Sequence, residues 1–363
     1  MVDQAISVVG AGAVTSIGLS FSNIMPAIRA QLDNFQETHF YDNQHESIIG
    51  GKIKVHDLNE EGKVVENIDE EDVVIGGLEN QFQWSCMAMD EALSYINLEE
   101  FQEYCLIVIG PNKDQPNLIN HEELYQKLVD YSRTIISEES LYHLHLPLGE
   151  TSPAAALVKA QKWVYESQAP KRAVILLGAD SWLTINRINH GLKNKRILSE
   201  SQPEGFIPAE GASAIILTKE TELSNEKPTL TILSSCIDSE PQPLFSELNS
   251  TADGLTIATK KALKQSAIEA HDIELLLPDL AGEDYFFTEI ALAWGRILRI
   301  AMPDYSEKHY IPTYTGHLGA INGLFLLGYA WALNIKGQHP GKNTLIQLTS
   351  EDTNRAAIVA VAN

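Results

Sequence analysis

The sequence predicts an α/β fold made of two similar halves, and three observations carry that reading. Short, continuous apolar runs alternate with helical segments, the pattern of strands covered on both faces of a sheet. The same order of elements returns after a polar connector, "ETELSNEKP" at 220–228. Two helices open on matching corners, Gly149-Glu150 and Gly316-His317.

In the first half, the apolar run "AISVVGAG" (5–12) predicts a strand and "WSCMAMDEALSYI" (84–96) a helix. "CLIVIG" (105–110) is a second strand, and "SPAAALVKAQKWVYE" (152–166) a helix that follows a one-glycine turn. "AVILLGAD" (173–180) and "ASAIILT" (212–218) complete the set. In the second half the matching elements are strand 230–236, helix 254–268, strand 273–278, helix 318–333 and strands 344–350 and 356–362. Two halves, 1–225 and 228–363, are expected. In a duplicated α/β fold the two corners meet near a pseudo-twofold axis at the carboxyl ends of strands, where open sheets place their sites.

Charge and cysteine usage narrow the function classes. Across 363 residues, 49 Asp and Glu against 26 Lys and Arg give a net charge of -23, which repels nucleic acid and anionic lipid. The three cysteines, Cys86, Cys105 and Cys236, are too few and too widely spaced for a disulfide framework or a four-thiolate metal site, so a reducing cytoplasm is expected. Asp3 stands where a secretory leader would be basic, and the longest apolar stretch, 321–335, is too short to span a bilayer. No cofactor or metal is expected. "GAGAV" lacks the third glycine of a dinucleotide loop. His143 and His145 have metal-compatible spacing on a strand but no third ligand nearby, which favours an edge or interface role. The acidic stretch 58–73 is expected to be a solvated loop.

Five segments together resemble the thiolase superfamily, and within it the β-ketoacyl synthases. They are "VVGAGAVTSIG" (8–18), "GADSWLTINRI" (178–188), "PEGFIPAEGASAIIL" (203–217), "YTGHLGAING" (314–323) and "NRAAIVAVA" (354–362). The resemblance spans nearly the whole chain and implies, with the matched order of elements, a five-layered α-β-α-β-α arrangement. It also implies where catalytic residues would stand. The family's nucleophilic cysteine falls on Glu150, its first histidine on the Pro278-Asp279 corner with no imidazole before His309, and its lysine on Pro312. Only His317 matches. The glycine-rich gating loop has become "LTSEDTN" (348–354). Condensation needs a reactive thiolate and two imidazoles, so loss of condensing activity is expected.

Glu150, His317, Asp279, Asn322 and Asn354 are therefore candidates for a vestigial site. For Glu150 a structural role is favoured, because a carboxylate in a helix's first turn gains ~0.3 to 1 kcal/mol from the helix dipole. The sharper alternative pairs it with His317 and raises the histidine's pKa. His317 reads first as a satisfied core histidine, and Asn322 and Asn354 as buried hydrogen-bonding amides. The function expected is that of a non-catalytic subunit or adaptor. It would form a homodimer, or a heterodimer with a thiolase-fold homologue, and serve a biosynthetic or secretion system. In the family, dimers pair the strand before the nucleophile helix, here 141–148. The competing reading is an acyl-thioester decarboxylase or hydrolase using Glu150 and His317. Acidic carrier proteins would be repelled by this chain unless a basic patch such as "KNKR" (193–196) is presented.

Overall fold

The structure, a computed structural model, describes residues 5–54, 76–116, 119–166, 171–219 and 228–363. The acidic stretch 58–73 and all of the connector except Pro228 lie outside them, so the boundary expected at 225–228 is proposed from sequence alone.

Among the described residues the first half contains β1 (Ile6–Thr15), α1 (Phe21–Arg29), β2 (Gln36–Tyr41), β3 (Ser47–Gly50), α2 (Leu78–Leu93), β4 (Glu103–Ile109), α3 (His121–Ile135), β5 (Leu141–Leu146), α4 (Ser152–Tyr165), β6 (Arg172–Ser181), α5 (Ile185–Lys193) and β7 (Glu210–Lys219). The second contains β8 (Leu230–Ser239), α6 (Asp253–Ser266), β9 (Leu275–Pro278), α7 (Asp284–Ile297), β10 (Glu307–Lys308), α8 (Pro312–Thr315), α9 (Asn322–Ile335), β11 (Asn343–Leu348) and β12 (Asn354–Ala362).

The sheet topology displays the duplication. Ten strands run in the order β10-β9-β11-β12-β8-β1-β7-β6-β4-β5. Counting each half from its own first strand, both read 3-2-4-5-1. In both, strands two, three and four are parallel and strand five runs antiparallel to its neighbours. The half-sheets join where Ile6–Val8 pairs antiparallel with Leu230–Ile232.

Five layers follow from where the apolar faces go. Helices α4 and α9 pack between the half-sheets and touch strands of both. Their side chains form a central core with Leu176, Leu217, Leu277 and Ile358 from the two sheets. Helices α2 and α3 cover the outer face of the first half-sheet, and α6 and α7 that of the second. Helix α9 is buried all round over Asn322–Leu333, as expected of a mid-layer helix.

The run "GAGAV" is strand, not a phosphate loop. Strand β1 continues to Thr15 before a tight turn to Gly18. A Cβ on Gly10 would lie 2.3 Å from the Ala92 carbonyl oxygen, and one on Gly12 2.0 Å from that of Ala88. These glycines let α2 lie directly on the strand.

Candidate functional site at the heads of the central helices

Both central helices begin with the same backbone device. Leu148, Gly149, Glu150, Thr151 and Ser152 lead into α4, and Leu318, Gly319, Ala320, Ile321 and Asn322 into α9. Gly149 has φ +68° and Gly319 φ +62°, and each is followed by one 3-10 turn. The equivalent of Glu150 is therefore Ala320, which corrects the expected match of Gly149-Glu150 with Gly316-His317. His317 stands three residues earlier, just after Gly316 (φ +72°), where its backbone N–H donates to the Ile207 carbonyl at 2.9 Å. The two turns pack against each other.

The halves also hydrogen-bond to one another at these turns. Asp180 is the last residue but one of strand β6, and its Oδ2 accepts the Ala320 N–H at 2.9 Å, fixing the turn before α9. Just after the equivalent strand β11, Ser350 donates to Glu150 Oε2 at 3.0 Å, before α4. Both hydrogen bonds run between the halves, so the site exists only when the two halves are docked.

Around these turns lies a buried network of charge that sequence reasoning did not anticipate. Arg187 is 1% exposed, is ion-paired with Asp180, and donates to Gln115 Oε1 at 3.3 Å. Its guanidinium lies 4.0 Å from the Trp182 ring centre. Arg196 binds Glu283 through two N–H groups, at 2.7 and 2.9 Å, and donates a third to Glu351 at 2.5 Å. Gln115 donates to Glu351 at 3.0 Å and more weakly to Glu150 at 3.5 Å. His190 joins Glu351 at 3.4 Å. Arg196 belongs to "KNKR", so that segment is not a free basic patch: Lys193 and Lys195 are exposed, but the arginine is committed inside.

Electrostatics follow from burial. Burial raises the Glu150 carboxyl above its usual range, and the Glu351 charge raises it further. Burial opposes ionisation of Glu351 as well, but Arg196, Gln115 and His190 overcome it and hold that carboxyl below its usual range. Burial pushes Asp279 up to about 7 although Thr349 donates twice to it, from N–H at 2.7 Å and hydroxyl at 3.0 Å. Burial, with Arg196 and Arg187 adding positive field, holds His317 well below the usual imidazole range. It is a neutral ring packed on Phe206 and Trp182, with Nδ1 3.3 Å from Asn322 Nδ2. No hydrogen bond or ion pair joins Glu150 to His317, and the histidine's pKa moves opposite to the direction such a pair would impose.

The structure therefore brings Glu150, Asp279, His317 and Asn322 to one region. Asn354 is not part of it: it bonds Asp352 at the start of β12. His309 lies elsewhere, between Tyr329 and Glu307. His143 and His145 face α3, where Tyr125 bonds the first at 2.6 Å and stacks on the second. Among the described residues no three His, Cys, Asp or Glu side chains are grouped to hold a metal ion, and no helix is long and apolar enough to cross a membrane. No cysteine stands at a central helix head. Cys86 lies in α2, Cys105 in β4 and Cys236 in β8, and burial pushes the first two thiols up to about 12 and raises the third.

The architecture is the thiolase-like fold of ketosynthases and their chain length factors. The chain superposes on a ketosynthase (ApeO) complex with its chain length factor (ApeC) from Xenorhabdus doucetiae with TM-score 0.66 and 13% identity, covering 99% of this chain and 98% of that one. With the ishigamide ketosynthase/chain length factor the TM-score is 0.72 at 13% identity, covering 99% of each chain. With the type II complex of AntDE and the acyl-carrier protein AntF it is 0.71 at 14%, covering 99% and 100%. At such identities the likeness establishes the fold. No family model matches the sequence, and no curated protein does.

Proposed function

We propose that the protein is a non-catalytic thiolase-fold subunit that works by pairing with a second thiolase-fold chain, as a chain length factor pairs with a ketosynthase. The observation that carries this reading is the filled space at the helix heads. Where the resemblance puts a thiolate and two imidazoles stand a buried Glu150 tied to the arginine network through Gln115, a buried Asp279 held by Thr349 and a neutral His317 held by Asn322. A carboxylate cannot form the acyl thioester, and an imidazole locked on Asn322 between two aromatic rings has no proton partner among the acids beside it. The same geometry counts against decarboxylase or hydrolase chemistry by Glu150 and His317, which share no hydrogen bond.

The pairing surface is the edge of the sheet at β5. That strand ends the ten-strand order with one side unpaired among the described residues, and Tyr142 on it and Leu148 just after it are 49% and 45% exposed. An open apolar edge invites a second strand. The partner is a homologous thiolase-fold chain, or a second copy of this one, in a biosynthetic or secretion system, and the three free thiols suit a reducing cytoplasm. Intact-mass measurement after incubation with acetyl-CoA and octanoyl-CoA should show no added acyl group. An adduct that hydroxylamine removes would overturn the non-catalytic assignment.

A further inference from the structure

A pocket of about 750 Å³ opens at the opposite end of the sheet from β5, between α1, β10, α8 and α9. Its volume lies in the range of small-molecule sites. None of Glu150, Asp279, His317 or Asn322 lines it, and it does not depend on the subunit reading.

Its lining divides by chemistry. Met25, Ile28 and Leu333 form an apolar wall, and Tyr314 and Tyr329 add aromatic surface. Two cations, Arg29 and Lys308, also line it, and both are exposed at its mouth. The one acid in the lining, Glu307, is already engaged: His309 Nε2 is 2.6 Å from its Oε2, and His309 Nδ1 is 2.9 Å from the Tyr329 hydroxyl. With Nε2–H donated to the carboxylate, Nδ1 accepts from the phenol, so all three groups are satisfied among themselves. Arg29 has only a neutral partner, donating to Gln338 Oε1 at 2.5 Å. Neither cation pairs with a carboxylate among the described residues.

Two cations against the single carboxylate of Glu307 leave the lining with a net positive charge, unusual in a chain of net charge -23. Local positive potential with an apolar wall selects ligands that carry both features. We propose that this pocket binds a small amphipathic carboxylate, its anionic end between Arg29 and Lys308 and its hydrocarbon or aromatic body against Met25, Ile28, Leu333 and Tyr314.

Calorimetric titration of the whole protein with octanoate and 4-phenylbutyrate tests this, with octanamide, 4-phenylbutyramide and acetate as controls. Each carboxylate should bind about tenfold or more tightly than its amide, and acetate, which lacks the apolar body, should bind far more weakly than octanoate. The double variant Arg29→Gln/Lys308→Gln changes only exposed side chains, so its thermal unfolding should match the parent, and it should lose the preference for carboxylate. Raising the salt concentration should weaken carboxylate binding and leave the amides unaffected. Absence of binding at millimolar octanoate and 4-phenylbutyrate, equal affinity for acid and amide, equal affinity for acetate and octanoate, or an unchanged preference in the folded double variant would each overturn the assignment.

Discussion

Replacing Arg196 with methionine removes one guanidinium and keeps most of its stem. In the native protein that group donates to Glu283 twice and to Glu351 once, with distances of 2.5 to 2.9 Å. Arg196 is 4% exposed, Glu283 9%, and Glu351 is mostly buried, so water cannot take over the lost contacts. Removing one partner of such a buried pair costs about 3 to 5 kcal/mol, because the other charge remains uncompensated. Here two carboxylates remain, beside the already raised Glu150, which places Arg196→Met at the upper end of that range. The total stability of a domain is about 5 to 15 kcal/mol, so the loss is large. Urea titration at pH 7.5, with m unchanged, should show the midpoint falling accordingly. The stranded carboxyls would take pKa values above their unfolded ones, so they favour the native state when protonated and the deficit should shrink as pH falls towards 5. Arg196→Met/Glu283→Met should recover part of the loss. A change below about 1 kcal/mol, or a double variant no better than the single one, would refute the view that this network holds the helix heads together.

Glu150→Gln keeps an acceptor for Ser350 and removes a carboxyl that burial disfavours in its charged form, so stability should change by no more than about 1 kcal/mol. Its coupling to His317→Gln in a double-mutant denaturation cycle should also stay below about 1 kcal/mol, since the two side chains share no bond. Asp279, raised from 3.8 to about 7, contributes stability that is fully present below pH 3.8 and is lost as pH rises through 7. Asp279→Asn should therefore lose stability less steeply than the parent between pH 5 and 8, a difference of about 3 kcal/mol at most, read from urea midpoints across that window.

The strands and the central helices were legible because their burial is written as uninterrupted apolar residues. Helix α4 was expected at 152–166 and spans Ser152–Tyr165, and the strand expected at 356–362 is β12. Helices α3 and α7 were not drawn from the sequence: in α3 the apolar residues Leu124, Tyr125, Leu128 and Val129 form one stripe broken by polar residues, and in α7 the short run Ile290–Trp294 is flanked by acidic and basic residues. The corner match was misplaced by three residues because Gly316-His317 looks like Gly149-Glu150 in letters, whereas the backbone turn is made by Gly319. Glu150 and His317 could be named from the resemblance, but the network that fills the site could not. Arginine in "TINRI" or "KNKR" reads as solvated surface. It is buried here only because Glu283 and Glu351, 87 and 155 residues away, come to meet Arg196. The available signal was Trp182 and Phe206 in the quoted segments, apolar platforms on which a cation can be covered.

Light scattering on the purified chain, alone and after co-expression with the ketosynthase encoded closest to its own gene, tests the subunit assignment most directly. The account predicts a dimer, homologous or mixed, of about twice the mass of the 40.1 kDa chain, lost when Tyr142→Asp and Leu144→Pro are introduced together on β5. A monomer at micromolar concentration in both samples, or a dimer indifferent to those substitutions, would contradict it.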